Sequence, residues 1–301
     1  MLGLLLFLTG CNLLQVPLRE PLQGTCECPY DRDRSGNLCR EKSAYSRPGG
    51  TQPACYVGEG STLPDDPLAF LGNPSNATAD PNHGSNYLME KPQYALSYNR
   101  KTGTANWAAW QLNSSWLGEV DRQNDFRPDD TLPQGFDRVM PNDYRGSGYD
   151  RGHLVPSADR TRNTADNSAT FLMTNMVPQT AANNREVWRK LEEYCRELVR
   201  QGKQLYIFAG PEGNKGTIAQ GKVTVPEYTW KVIVVFDRSE SGVTEKTRTI
   251  AVRVPNTEEI ADRDWRDYIV SIDVIETATG YDFLSNVQQS VQQAIEGRTG
   301  N

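Results

Sequence analysis

The stretch that most constrains the fold runs over residues 149–200, where two short strand-like segments precede a helix. Residues 149–154 predict one strand, and residues 170–176 predict a second. The helix is predicted over Arg185–Arg200, because apolar residues recur at helical spacing and Gly202 follows as a stop signal. Its apolar positions are Val187, Trp188, Leu191, Tyr194, Cys195, Leu198 and Val199.

Further strand-like segments lie on both sides of this stretch without alternating strictly with helices. The fold class is therefore α+β, with a central, mostly antiparallel sheet flanked by helices. Regular structure is expected from about Tyr87. The predicted strands cover 94–98, 105–112, 205–209, 229–236 and 248–254.

The composition is that of a soluble globular protein of 301 residues, with 37% hydrophobic and 23% charged residues. Asp and Glu number 38 against 32 Lys and Arg, which gives a net charge of -6. This balance disfavours a tight, processive nucleic-acid binder, since phosphate contacts need a basic surface. It leaves room for a local basic cleft with fast release.

The N-terminus predicts export. Residues 1–11 are apolar and too short to span a membrane, and Leu8-Thr9-Gly10-Cys11 is similar to a bacterial lipobox in which Cys11 carries the lipid. An ordinary signal peptide is the alternative, and the usual basic start is missing. Residues 12–60 predict a Pro/Gly/Cys-rich tether, 61–288 the folded domain and 289–301 a polar tail.

Cysteine usage agrees with export. The protein is expected to be either a membrane-anchored lipoprotein or a secreted or periplasmic protein. Of the six cysteines, removing Cys11 leaves five, so at least one is unpaired or pairs between chains. Cys26, Cys28 and Cys39 lack zinc spacing and a nearby histidine, which favours disulfides. The connectivity stays open at this stage.

The chemistry centres on Asp150-Arg151-Gly152-His153, which holds one of the chain's two histidines. His83, the other, is expected in an exposed loop. Asn175 and the Asn183-Asn184 pair follow downstream, and Glu192 comes next within the predicted helix. Over about residues 86–286, these positions together resemble the DNA/RNA non-specific endonucleases of the ββα-metal type.

The resemblance implies a metal-dependent endonuclease that cleaves DNA and RNA to 5′-phosphorylated products. It implies His153 as general base and Asn184 as the direct ligand of one Mg²⁺, with Mn²⁺ as a substitute. Asn184 follows Asn175 by nine residues and precedes Glu192 by eight, as in the family, while the adjacent Asn183 competes as a helix cap. Asn175 is expected to support the site by holding water or backbone.

The helix geometry limits what Glu192 can do. In a regular helix, eight residues span about 12 Å along the axis, so Asn184 and Glu192 could not bind one ion directly. Either Asn184 lies in a bent lead-in, or Glu192 acts through water. The resemblance implies the second, with Glu192 orienting water around the metal.

Arginines are expected to neutralise phosphate charge. Arg151 lies inside the motif, and Arg122 matches a family position, although Arg127 is close enough to exchange roles with it. Arg196 lies four residues after Glu192, so it is near the same helix face, with surface salt bridging as the alternative. Asp150 is expected to be structural.

Two other function classes remain open from the sequence. One is a metal-dependent phosphodiesterase of nucleotides or lipid headgroups, and the other is a surface lipoprotein that only binds. The expected partners are DNA and RNA, a dedicated inhibitor protein, and the membrane only through Cys11. The oligomeric state is left open.

Overall fold

A computed structural model describes residues 20–44, 46–47, 55, 63–237 and 240–299. The chain divides into two compact units, 1–60 and 61–301. In the first unit, disulfides join Cys26 to Cys39 and Cys28 to Cys55, which confirms the disulfide prediction. Cys195 is free and buried. The lipobox and Cys11 lie outside the described residues.

The second unit is built from strands and helices whose bounds are as follows. The strands are β1 Tyr87–Lys91, β2 Tyr94–Asn99, β3 Thr104–Leu112, β4 Asp150–His153, β5 Met176–Gln179, β6 Gln204–Glu212, β7 Thr217–Ile218, β8 Val223–Thr224, β9 Tyr228–Phe236, β10 Arg248–Pro255 and β11 Ile269–Val270. The α-helices are α1 Pro67–Leu71, α2 Thr164–Ala169, α3 Arg189–Arg200, α4 Ile272–Thr279 and α5 Gln289–Glu296.

Seven strands form one antiparallel sheet in the order β1-β2-β3-β6-β9-β10-β11, which confirms the predicted α+β fold with its antiparallel sheet. Successive side chains of a strand point to opposite faces. Along β9, Trp230 and Val232 therefore pack in one core, while Ile233 and Val235 pack in the other. The sheet thus separates two hydrophobic layers.

The helix predicted over Arg185–Arg200 is confirmed, and it begins earlier. The chain is helical from 181 to 200, with a π-helical segment over Asn183–Trp188 continuing directly into α3. Its apolar residues pack on one face of the sheet, as the spacing predicted. Helices α1, α4 and α5 contribute to the core on the opposite face.

Strand β5 differs from its prediction. Residues 170–176 were expected to be extended, but Met173–Asn175 forms a 3-10 turn and the strand covers Met176–Gln179. Pro178 lies inside this strand, although a proline cannot donate to the ladder. It is tolerated because β4 and β5 form a separate two-stranded sheet, in which both strands are edges.

The predicted polar tail also differs, because it contains helix α5. Ile295 on this helix is completely buried, in the same hydrophobic core as the apolar residues of α4. A single apolar contact of this kind is difficult to recognise in a glutamine-rich sequence. Within the described ranges, no helix is both long and apolar enough to cross a membrane.

Candidate active site

His153 ends strand β4, where it pairs with Met176 of β5. Its side chain is buried, with 8% exposure, between the rings of Phe126 and Phe171 at 5.6 and 5.0 Å. Nε2 is buried without a hydrogen-bond partner among the described residues. The other histidine, His83, is exposed and lies beside Asp80, as predicted.

The surroundings of His153 favour the neutral imidazole. Burial, followed by the positive charges of Arg122 and Arg151, lowers the pKa of His153 to about 3. The ring is therefore unprotonated at physiological pH. An unprotonated, unpartnered nitrogen is the state that a general base requires.

Asn184 lies in the π-helical segment, and its Nδ2 donates a 2.9 Å hydrogen bond to the Asp150 carboxylate on β4. Arg185 also donates to that carboxylate. Burial acts to raise the pKa of Asp150, but the bonds from Arg185 and Asn184 hold it below its ordinary value. The amide of Asn184 is thus oriented, and among the described residues its oxygen accepts no hydrogen bond.

Asn183, the competitor for the ligand role, has both ends of its amide engaged inside the fold. Its Oδ1 accepts from Gln179 at 2.6 Å, and its Nδ2 donates to Thr229 and to the Pro255 carbonyl. The residue is fully buried. These contacts tie the helix to the sheet and leave Asn184 as the ligand candidate.

Glu192 lies two turns further along the same helix, with its side chain 14% exposed. Burial raises the pKa of Glu192 to about 7, while Lys231 and Arg196 oppose that rise. Lys231 is on β9, with Nζ 4.0 Å from the carboxylate and 4.3 Å from the ring centre of Trp188. The helix is continuous through Asn184, so the bent lead-in considered above is not observed.

Arg122 faces the same site as His153 and Glu192. It lies over the Phe171 ring at 4.8 Å and donates to Ser157 at 2.6 Å. Burial lowers the pKa of Arg122, and the nearby charge of Glu192 counteracts this. The same Phe171 ring contacts His153, so it connects the two side chains. The charge of Arg122 also lowers the pKa of His153 and opposes the rise in the pKa of Glu192.

The other arginines are divided between the site and the scaffold. Arg151 lies over the Phe126 ring at 4.0 Å, beside His153. Arg127 instead donates to Asp125 and to the Ser168 carbonyl, which engages its guanidinium.

Arg196 is engaged within the fold. It forms a buried 2.8 Å ion pair with Asp159, which also accepts from Trp110. This pair occupies one nitrogen of the guanidinium, and a role of Arg196 at the phosphate stays a prediction. The surface salt bridge considered as the alternative is not what the structure has either, because this pair is buried.

Asn175 forms hydrogen bonds with backbone groups, which is one of the two roles predicted for it. Fully buried, it accepts from the Val155 amide at 3.0 Å and donates to the carbonyls of Val155 and Thr170, both at 2.9 Å. These bonds fix the chain immediately after His153. His153 is therefore positioned by the segment that leads into β5.

The glycine of the motif is required by close packing. A Cβ at Gly152 would lie 1.7 Å from Oε1 of Gln179, the residue that donates to Asn183. Sequence reasoning missed Gln179, Lys231 and the orienting role of Asp150. Lys231 could have been noticed as the one charge in the apolar strand Tyr228–Phe236.

The fold combines a large antiparallel sheet with the separate strand pair β4–β5 and the helix that continues into α3. Together with the side chains described above, this arrangement defines a ββα-metal nuclease. Residues 71–290 match the model of the family described as DNA/RNA non-specific endonuclease, and the chain belongs to that family. It is a phosphodiester hydrolase of the metal-dependent kind, a non-specific endonuclease of DNA and RNA. This decides against the small-molecule phosphodiesterase and the binding module.

Relatives agree with this assignment. The chain is 61% identical over 235 residues to a nuclease of Nostoc sp.. The aligned region covers 77% of this chain and 85% of that protein. It is 32% identical over 214 residues to human mitochondrial endonuclease G, covering 66% and 70%. A crystal structure of an EndoG/EndoGI complex aligns with a TM-score of 0.61 and 25% identity, covering 74% of this chain and 92% of that one.

Proposed function

We propose that His153 is the general base of the nuclease and that Asn184 is the direct ligand of a single Mg²⁺, for which Mn²⁺ can substitute. The observation that carries the proposal is the bond from Asn184 to Asp150. Asp150 and His153 belong to the same four-residue strand, so this bond brings the ligand candidate to the strand of the base.

The donor set fits Mg²⁺, which prefers oxygen ligands and keeps several waters when it binds one or two protein groups. Asn184 offers one amide oxygen, and Glu192 holds water of the ion's shell. Bound there, Mg²⁺ supplies positive charge to the phosphate and to the departing 3′-oxygen. The products are 5′-phosphorylated ends.

The remaining side chains act by position and charge. His153 takes a proton from the attacking water, while Arg122 and Arg151 neutralise phosphate oxygens beside it. The aromatic rings under both arginines restrict where the guanidinium groups can lie. A site that recognises phosphate and ignores the 2′-position accepts both DNA and RNA.

The test is degradation of plasmid DNA and total RNA with Mg²⁺, Mn²⁺ or EDTA, beside His153→Ala. Metal-dependent loss of both substrates, abolished in the variant, is expected. Product ends should accept label from a polynucleotide kinase only after phosphatase treatment. Full activity of His153→Ala would contradict the assignment of the base.

We also propose export, with Cys11 lipidated. Two disulfides in residues 20–55 support this, because such bonds persist in oxidising compartments. The wild-type protein is expected in the membrane fraction, and the Cys11→Ser protein is expected in the soluble fraction. A soluble wild-type protein would contradict the lipid anchor and leave ordinary secretion. A Cys11→Ser protein that stays in the membrane fraction would also contradict an anchor on Cys11.

An inhibitor protein is the further partner proposed. The support is the described EndoG/EndoGI complex, whose EndoG chain resembles this one. A host that expresses the active chain in its cytoplasm should lose viability, and the His153→Ala form should be harmless. Equal viability of the two would remove the reason for an inhibitor.

A further inference from the structure

A second cluster of titratable groups lies on the core face opposite α3. Asp273 and Glu276 are on α4, and Glu296 is the last residue of α5. One oxygen from each carboxylate lies within 4.8 Å of the other two. Their helices pack through Ile275 and Ile295 into the core that does not contain α3.

Glu296 is the unusual member of this cluster. Its side chain is buried, with 7% exposure, and its Oε1 has no hydrogen-bond partner among the described residues. Burial raises the pKa of Glu296 to about 8, and the charges of Glu276, Asp273 and Asp282 add to that effect. The C-terminal end of a helix also disfavours a negative charge.

In the described part of the chain, no Lys or Arg side chain forms an ion pair with Asp273, Glu276 or Glu296. Glu276 accepts from the Phe283 amide at 2.7 Å, which accounts for one of its oxygens. A buried carboxylate without a partner is costly, and paired or metal-bound carboxylates are the usual solutions.

We propose that Asp273, Glu276 and Glu296 bind a divalent cation, with Ca²⁺ preferred, at the junction of α4 and α5. Oxygens at 2.3–2.6 Å from one ion lie at most about 5.2 Å apart, which accommodates the spacing of this cluster. Asp273 is exposed, so water can complete the shell. The ion joins α5 to α4 and fixes the C-terminal helix on the sheet.

The test is thermal unfolding of the full chain in EDTA, Ca²⁺ or Mg²⁺, together with Tb³⁺ luminescence excited through the protein's aromatic residues. Asn184→Ala serves as the background, because it removes the ligand proposed for the catalytic ion. Within it, Glu296→Gln and the exposed Asp273→Asn are compared with Asp262→Asn, an exposed acid outside the cluster.

Calcium at about a hundredfold above its dissociation constant is expected to raise Tm by about 5 °C or more. The shift and the Tb³⁺ signal should be lost with Asp273→Asn and Glu296→Gln and kept with Asp262→Asn. If neither Ca²⁺ nor Mg²⁺ changes the Tm of the Asn184→Ala protein, the proposal is overturned. A calcium-dependent rise in Tm that is kept in both cluster variants also overturns it. If Glu296→Gln does not fold, a rise that is kept in Asp273→Asn alone has the same meaning.

Discussion

The side-chain amide of Asn184 donates to the carboxylate of Asp150 at 2.9 Å, and this bond joins the π-helical segment to the strand that carries His153. An amide held by its nitrogen presents its oxygen elsewhere. Asp150, ranked as structural from the sequence, is therefore the residue that orients the ligand candidate.

Replacing Asp150 with Asn should weaken metal use without unfolding the protein. The orienting acceptor becomes an amide that also donates, so the Mg²⁺ concentration for half-maximal activity should rise about 10- to 100-fold. Metal titration of plasmid cleavage measures this. Arg185→Gln is the matched control, because it removes the exposed ion pair to Asp150 and keeps the Asn184 bond. An equal loss in the control would assign the effect to charge.

The adjacent asparagines should separate activity from stability. Asn184→Ala should abolish cleavage and leave the free energy of unfolding nearly unchanged, because Asn184 is partly exposed and its one side-chain bond is to Asp150. Asn183→Ala should lower the unfolding free energy by about 2 kcal/mol, because it leaves buried partners unsatisfied. Urea denaturation beside plasmid cleavage measures both. Similar effects of the two substitutions would contradict the division of roles.

Arg122→Ala and Arg127→Ala should differ in activity. Arg122 lies beside His153 and Glu192, so its loss should lower kcat by about 10²- to 10³-fold, within the range for removing one group that stabilises transition-state charge. The Arg127 side chain is already paired with Asp125, and its loss should change kcat little. Steady-state cleavage of a defined oligonucleotide measures the difference. A larger effect of Arg127→Ala would exchange the two assignments.

Acid should destabilise the fold through His153. Its pKa falls from 6.5 to about 3 on folding, so between these values the unfolded chain binds the proton and the folded chain does not. The stability that comes from keeping His153 neutral in the folded chain is fully present above pH 6.5. It is lost as the pH falls from 6.5 toward 3. Replacing His153 with Asn should reduce the slope of unfolding free energy in that window by about 1.4 kcal/mol per pH unit.

Urea denaturation at several pH values in EDTA measures that slope. His83→Asn is the control, because it removes the other histidine from an exposed position. It also leaves His153 as the only imidazole in proton NMR spectra. An imidazole of His153 that titrates near 6.5 in the folded chain would contradict the prediction.

Gly152→Ala should damage the site by displacing Gln179. The new methyl group would meet that side chain at 1.7 Å, and Gln179 supports Asn183. Overpacking of this kind costs about 1–3 kcal/mol. Thermal unfolding should show the loss, while Gly242→Ala, where the added Cβ meets nothing within 4 Å, should be neutral. Equal Tm values for the two variants would contradict it.

The regular parts of the fold were predictable because their residues repeat. The period of the apolar residues gave the helix over Arg185–Arg200, and β9 and β10 were recognisable as long apolar strands. The candidate residues were found through a resemblance in spacing. In the structure, Arg122 and His153 contact the same Phe171 ring, and Asn184 is tied to the strand of His153. Their catalytic roles stay predictions.

The remaining features depend on contacts that periodicity does not record. Arg196 looked free for phosphate, but Asp159, far away in sequence, pairs with it. Strand β5 begins later than predicted because Asn175 binds the backbone at Val155 and Thr170. Helix α5 packs through the buried Ile295 and the partly buried Val291. Each is a tertiary contact that local preference cannot foresee.

The π-helical segment over Asn183–Trp188 makes the site sensitive to chain length. A π turn holds one residue more than an α turn, so it takes up an extra residue and keeps the turns on either side nearly in rotational step. In uninterrupted α-helix, Asn184 and Glu192, which are eight residues apart, would point about 80° away from each other. Inserting one further residue between them would exceed what this turn takes up and would turn Asn184 by about 100° relative to Glu192. The apolar face of α3 would still cover the sheet. A single added codon would therefore convert this enzyme into an intact but silent scaffold, one genetic step away from a purely binding descendant.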